Sequence, residues 1–190
     1  EAVRSSSRFQ ICGAGTKTAL SKAATHSLSG LSDLVEYNPS EYTLTAQAGI
    51  SLTEVNGLLK KHGQYLPYDP PFATKGATLG GTIAAGLSGP GRYRYGGVRD
   101  FLLGIQFVNG EGRLVRGGAK VVKNAAGFDL PKLMVGSLGR FGILLECSCK
   151  VFPLPERTCT VRAVYESMES TISAMSRLVI APFDLMCLDI

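Results

Sequence analysis

Residues 76–97 read GATLGGTIAAGLSGPGRYRYGG, and this glycine-rich stretch is the most informative part of the chain. It predicts a short helix over about 79–87, because alanine and leucine favour helices, with the pair Gly80-Gly81 near its start. Small side chains there would let a large flat ligand lie against the helix, and the helix N-terminus would favour a phosphate. Tight packing of the helix against a strand also selects glycine and alanine, so both interpretations stand at this point.

A second glycine-rich loop lies upstream, in ICGAGTKTALS at residues 11–21. A strand predicted at 8–12 runs into Gly13-Ala14-Gly15, where glycine lets backbone N–H groups point at an anion such as a pyrophosphate. The spacing to Asp33 or Glu36 also roughly meets a Rossmann fingerprint, although no crossover helix is indicated after the glycines. The loop lacks the ending of a Walker loop, and taken alone it is also compatible with an ordinary tight turn.

The remaining patterns indicate strands and helices in an irregular order. Strands are predicted at 34–37 and 42–50, and Ser51 with Glu54 forms a capping box before a helix that stops at Gly63. Further along, the sequence predicts a proline-rich ordered loop at 65–72 and two strands joined as a hairpin at Asn109-Gly110. It then predicts a helical turn at 128–135 and, after the glycines of MVGSLGRFGILLE (134–146), an alternating strand. This order predicts an α+β fold rather than a doubly wound sheet.

The residue pattern of the sequence changes after Pro153 and Pro155. The segments 158–165 and 184–190 predict strands on either side of a helix at 166–180. This βαβ unit lacks partner strands, which indicates the truncated start of a second domain. We therefore expect one domain over 1–155 and the beginning of a substrate or cap domain over 156–190.

Composition argues against several classes of protein. The 190 residues are 45% hydrophobic and 18% charged, which is typical of a globular chain and not of a disordered one. The formal charge of +5 comes from scattered residues without a dense basic run, which argues against nucleic acid as a partner.

Five cysteines without a CxxC pair indicate neither a metal site nor a disulfide framework, so we expect a cytoplasmic compartment. No signal peptide or membrane span is indicated, so membrane association would go through a partner.

Three long strings carry a resemblance to a known family: DPPFATKGATLGGTIAAGLSGPGRYRYGGVRDFLLG (69–104), GGAKVVKNAAGFDLPKLMVGSLGRFGILLE (117–146) and KVFPLP (150–155). Residues 8–155 resemble the FAD-binding domain of the p-cresol methylhydroxylase and vanillyl-alcohol oxidase (PCMH-type) family, and within it the FAD-binding E subunits of glycolate oxidases. The resemblance implies two α+β subdomains with the dinucleotide between them, followed by a cap domain. Some members attach the flavin through a histidine in the first loop, whereas GAGTK has none, so non-covalent FAD is implied.

The same resemblance implies roles for residues of the glycine-rich segments. The first loop would bind the pyrophosphate, and the start of the 79–87 helix would make a second phosphate contact and meet the ribityl chain. The residues that follow would line the flavin ring, and the segment before the last strand would meet the adenosine end through its backbone. The implied cofactor-binding residues are, in that order, Gly13, Ala14, Gly15, Thr16 and Lys17, then Thr78, Gly80 and Gly81, then Ala84, Ala85, Ser88 and Gly89, and finally Gly142 and Ile143, with Pro70 as a further contact.

The resemblance also implies an activity, the oxidation of a 2-hydroxy acid by a flavin-dependent oxidoreductase. Glycolate to glyoxylate is the implied reaction, in a glycolate oxidase complex with a second flavoprotein and an iron–sulfur subunit. Two alternatives stay open: a non-catalytic assembly or electron-relay subunit, and a Rossmann-type NAD-binding protein. No catalytic residue is assigned, because His26 and His62 have surface or structural interpretations. Arg92, Arg94 and Arg99 lie near the flavin segment but could equally form local ion pairs.

Overall fold

A computed structural model describes Val3 and residues 10–20, 25–119 and 128–190 of the chain. Within these ranges the strands and helices, in chain order, are β1 (Ile11–Cys12), β2 (His26–Ser27), β3 (Leu34–Asn38), β4 (Thr43–Gln47), α1 (Leu52–Lys61), β5 (Gln64–Tyr65), α2 (Leu79–Ala85), α3 (Arg92–Tyr95), α4 (Val98–Phe101), β6 (Leu102–Val108), β7 (Leu114–Gly118), α5 (Leu130–Met134), β8 (Ile143–Lys150), β9 (Phe152–Pro153) and α6 (Met168–Ile180). Short 3₁₀ turns lie at Thr18–Leu20, Pro39–Glu41 and Ala73–Lys75. The part of the strand predicted at 8–12 that precedes Gln10 lies outside the described residues.

A five-stranded sheet in the order β3-β4-β8-β6-β7 forms the centre of the fold, and every neighbouring pair in it is antiparallel. Side chains alternate between its faces, so Leu44, Ala46, Cys147 and Cys149 point into one shared hydrophobic core. Helix α2 packs against β8 on that core. The prediction of an α+β fold is confirmed, and the antiparallel sheet contradicts the Rossmann alternative.

A separate pair of short strands, β1 and β2, lies outside the central sheet and pairs in parallel. A Rossmann connection would place a helix of several turns between two such strands. Among the described residues of this connection, only the 3₁₀ turn at Thr18–Leu20 is helical. Residues 13–17, which follow β1, therefore form a loop, and Gly13 lies against Thr78 of the larger body.

Helix α1 forms where the sequence predicts it, because its signals are local. The Glu54 N–H donates to the Ser51 hydroxyl at 3.1 Å, and the Ser51 N–H donates to the Glu54 carboxylate at 3.2 Å. Leu52, Val55 and Leu59 fall on one face of the helix and are fully buried. The predicted capping box and the predicted helix are both confirmed.

Helix α2 is shorter than the predicted 79–87 because Gly86 ends it in a left-handed conformation, with φ of 67°. At its start, the Gly80 N–H donates to the Ala48 carbonyl at 2.8 Å. A Cβ placed on Gly80 would lie 2.5 Å from the Cβ of Ala48, so only glycine allows this approach. Of the two interpretations left open for the glycine pair, close packing accounts for Gly80.

The predicted hairpin is also present, with β6 and β7 joined through residues 109–113. The Asn109 side chain holds the turn, because its Oδ1 accepts hydrogen bonds from the N–H groups of Glu111 and Arg113, at 3.0 and 2.9 Å. The predicted strand at 42–50 is limited to β4, and the predicted helical turn at 128–135 is α5.

The C-terminal prediction is only partly correct. Helix α6 forms as expected, capped by Ser167. The strands predicted at 158–165 and 184–190 are wrong, because neither segment forms a strand in the structure. A strand depends on backbone hydrogen bonds to a neighbour, and no described residue offers these segments one. Among the described helices none is long and apolar enough to span a bilayer.

Candidate functional site

A cleft lies between the loop after β1 on one side and α2 with the start of β8 on the other. It contains about 800 Å³ of space, including the part that is open to solvent. Eleven of the residues predicted to bind the cofactor line this cleft: Gly13, Ala14, Gly15, Thr16, Lys17, Thr78, Gly80, Gly81, Ala84, Ala85 and Gly142. Segments far apart in the sequence are thus brought together at one surface.

The first loop, Gly13–Lys17, lines the cleft and contains backbone donors without an acceptor among the described residues. In the described part of the chain, the N–H groups of Ala14, Gly15, Thr16 and Lys17 donate to no protein acceptor. Gly15 has a φ of 67°, and no atom lies within 4 Å of the position its Cβ would take. Successive unpaired N–H groups beside a positive-φ glycine form a concave site that suits an anion.

Lys17 adds a positive charge to the same loop. Its ammonium donates to the hydroxyls of Thr16 and Thr82, both at 3.4 Å, and lies 5.9 Å from the centre of the Phe72 ring. No carboxylate among the described residues forms an ion pair with it. Burial lowers the pKa of Lys17, because desolvation disfavours the charged form. A bound anion would supply the counter-charge that this lysine lacks.

The start of α2 has fewer free hydrogen-bond donors for an anion than the sequence suggests. The Thr78 hydroxyl accepts from the Gly81 N–H at 3.2 Å, and the Leu79 N–H donates to the Ile50 carbonyl at 3.0 Å. The Gly80 N–H is already bonded to Ala48. The first turn therefore lines the cleft with its donors already satisfied, so among the described residues the unpaired donors of the cleft lie in the first loop.

The segment 136–139 forms the wall of the cleft next to the end of α2. Gly136, Leu138 and Gly139 all have positive φ angles, of 76°, 52° and 78°. The N–H groups of Gly136 and Leu138 donate to the carbonyls of Ile83 and Ala84, at 3.0 and 2.9 Å. These bonds satisfy carbonyls near the C-terminus of α2 and fix the segment against the helix.

Four predicted contacts lie outside the cleft lining: Pro70, Ser88, Gly89 and Ile143. The Ser88 hydroxyl accepts from the Val98 N–H at 2.9 Å, and the Gly89 N–H donates to the Tyr68 carbonyl at 3.0 Å. Ile143 pairs with Val108 in the central sheet. The structure gives Ser88, Gly89 and Ile143 roles in the fold, and the contact of all four residues with a cofactor stays a prediction.

The two histidines and two of the three arginines considered for catalysis, Arg94 and Arg99, also have local partners. The His62 ring packs edge-on against Tyr37 with centroids 5.1 Å apart, and the Thr25 hydroxyl lies 2.9 Å from Nδ1 of His26. Arg94 forms an ion pair with Asp184, and Arg99 donates to the Lys132 carbonyl at 3.4 Å. None of these four side chains lines the described cleft.

Sequence reasoning missed part of the lining. These residues are mostly apolar or belong to the turn before β8, and they are Ile11, Cys12, Leu20, Leu28, Ala48, Ser137, Leu138, Gly139 and Leu144. Apolar residues of this kind cannot be distinguished from core residues in one sequence. The GSLG string did offer a signal, because glycines close to a serine, here Gly136 and Gly139 on either side of Ser137-Leu138, indicate an irregular backbone.

Comparison with known proteins agrees with this geometry. Residues 1–118 match the protein family described as FAD binding domain. The chain belongs to this FAD-binding family. Glycolate oxidase subunit GlcE of Escherichia coli (strain K12) is 45% identical over 129 residues, which are 68% of this chain and 37% of that protein. Glycolate oxidase subunit GlcD of Bacillus subtilis (strain 168) is 32% identical over 151 residues, 80% of this chain and 32% of that protein.

A solved structure supports the same fold for this member of the FAD-binding family. Alkyldihydroxyacetonephosphate synthase superposes with a TM-score of 0.63 and 25% identity, covering 78% of this chain and 28% of that one. The chain therefore spans only 28% to 37% of the length of these three proteins. The resemblance to the PCMH-type FAD-binding domain is confirmed for the fold and the family.

FAD is the cofactor of this family, and the cleft suits it in two respects. Among the described residues, the first loop has unpaired N–H groups and Lys17 has no carboxylate partner, and both features match the anionic pyrophosphate. The small side chains of Ala84 and Ala85 on the opposite wall leave room for a flat ring system.

Proposed function

We propose that this chain is the FAD-binding part of a flavin-dependent oxidoreductase that oxidises a 2-hydroxy acid, with glycolate to glyoxylate as the first candidate reaction. The observation that carries the proposal is the loop Gly13–Lys17, with its unpaired N–H groups and the Lys17 ammonium, which lines one cleft together with small residues of α2. The substrate class comes from relatives whose names are glycolate oxidase subunit and D-lactate dehydrogenase.

Each wall of the cleft would have its own task. The N–H groups of Ala14 to Lys17 and the Lys17 ammonium would bind the pyrophosphate, while Ala84 and Ala85 would lie along the flavin and Gly142 near the adenosine. When bound, FAD supplies an acceptor for the hydride equivalent of the substrate carbon. The protein's part in this region would be to hold the dinucleotide in one orientation and to exclude water from the covered face.

The remaining assignments follow from the same proposal. Residues 1–155 would form the FAD-binding domain, and residues 156–190 would belong to a second domain that shapes the substrate site. A second flavoprotein and an iron–sulfur subunit would be partners in a cytoplasmic complex, consistent with relatives that are named as oxidase subunits. Those partners would bring this chain to the membrane if the complex is membrane-associated.

The proposal is tested by substrate-driven loss of flavin absorbance in the protein loaded with FAD. Under anaerobic conditions, we expect glycolate or D-lactate to bleach the flavin bands, with acetate, which lacks the hydroxyl, as the matched control. Acid denaturation should then release the flavin into solution, since no histidine occupies the first loop. Stoichiometric FAD that no 2-hydroxy acid reduces, in the complete protein with its partners, would favour an electron-relay or assembly role instead.

A further inference from the structure

The hydroxyl of Ser137 is a buried polar group that has no partner in the described part of the chain. Ser137 is 6% exposed and lines the cleft, and its hydroxyl finds no hydrogen-bond donor or acceptor among the described residues. Buried hydroxyls in folded proteins nearly always have a partner, because leaving one unsatisfied is destabilising. An exception therefore calls for an explanation.

The backbone around Ser137 holds the residue in place. Its two neighbours are hydrogen-bonded to the last turn of α2, and three positive φ angles surround it, one of them at the non-glycine Leu138. A leucine in the left-handed region is an unfavourable conformation that persists only where the surroundings impose it. Because the side chain is short, rotation about its Cα–Cβ bond is all that changes the direction of the hydroxyl.

We propose that the Ser137 hydroxyl donates a hydrogen bond to an oxygen of bound FAD, in the pyrophosphate and ribityl part of the molecule. This inference rests on the proposed FAD binding. Serine hydroxyls are donors as well as acceptors, and that part of the dinucleotide is its densest source of acceptor oxygens. Ser137 lines the same cleft as the first loop and as Ala84, which are assigned to the pyrophosphate and the flavin. Ser137 would thus be a cofactor-positioning residue on the wall opposite Lys17.

This role predicts that removing the hydroxyl weakens FAD binding without lowering the stability of the FAD-free protein. Replacing Ser137 by alanine removes an unsatisfied polar group from the free protein, so its stability should be unchanged or higher. The same change leaves an oxygen of the cofactor without its donor, so FAD should bind about tenfold more weakly. A residue that merely supported the fold would lose stability and affinity together.

Tyr68 provides a matched control. Its hydroxyl is the other buried, unpartnered side-chain group in the described residues, and its ring packs on Phe101 with centroids 5.5 Å apart. Tyr68 does not line the cleft. Tyr68→Phe should therefore preserve or raise the stability of the free protein, as Ser137→Ala does, while FAD affinity stays at the wild-type value.

The experiment measures FAD affinity by quenching of flavin fluorescence and unfolding of the FAD-free protein by denaturant, for wild type, Ser137→Ala and Tyr68→Phe. Loss of affinity in Ser137→Ala alone, with no loss of stability, is the expected result. Wild-type affinity in Ser137→Ala, or an equal loss in both variants, would overturn the role of Ser137 while leaving the proposed function intact. A folded wild-type chain that fails to bind FAD would overturn both.

Discussion

Lys17 is the single residue whose environment most clearly calls for a ligand, since it is a half-buried cation that contacts two hydroxyls and a ring and has no carboxylate partner among the described residues. Lys17→Met should weaken FAD binding roughly 10- to 100-fold, the usual loss for a charge-assisted hydrogen bond. Lys61→Met is the matched control, because it removes the same charge from an exposed position at the end of α1. Titration of FAD into each variant measures the difference, and equal affinities for the two would contradict the assignment.

The lowered pKa of Lys17 gives that prediction a pH dependence. FAD affinity should fall as the pH rises through this lowered pKa, because only the charged form attracts the pyrophosphate. The unfolded chain, with an ordinary lysine pKa, holds more protons in that window, so Lys17 contributes more to the stability of the free protein as the pH rises. Lys17→Arg, which stays charged, should remove this part of the affinity profile.

At the scale of elements, two helical glycines differ in whether the fold requires them: a side chain would fit at Gly57 but not at Gly80. Gly57 lies on the exposed face of α1, and no atom lies within 4 Å of the position that a Cβ would take there, so Gly57→Ala should stabilise the protein by up to about 1 kcal/mol. Gly80 approaches Ala48 too closely for any side chain, so Gly80→Ala should destabilise it by about 1–3 kcal/mol. Denaturant unfolding of both variants measures these changes, and a neutral Gly80→Ala would show that α2 does not pack on Ala48.

The elements also show where sequence reasoning succeeds. Helix α1 was predictable because the capping box of Ser51 and Glu54 and the spacing of its buried residues are local signals. The strands predicted at 158–165 and 184–190 failed because alternation alone does not supply a hydrogen-bonded neighbour. Ser137 escaped prediction for a related reason: its burial and its missing partner arise only when the 136–139 segment docks on α2.

At the scale of the whole molecule, the fold brings three glycine-containing segments to one cleft. Their order along the chain and the family resemblance predicted most of the lining, but not which glycines serve the fold. Gly13 and Gly80 are required by contacts with Thr78 and Ala48, whereas Gly15 faces open space. The cleft thus combines glycines that serve protein packing with a loop whose donors remain free for a ligand.

The central claim is that this cleft binds FAD, and the most direct measurement is a titration of the purified chain with FAD beside a titration with NAD. We predict saturation at one FAD per chain, no binding of NAD, and a gain in stability that reaches about 2.7 kcal/mol at a free FAD concentration 100 times the Kd. A folded chain that leaves FAD free in solution, or that binds NAD instead, would contradict the account.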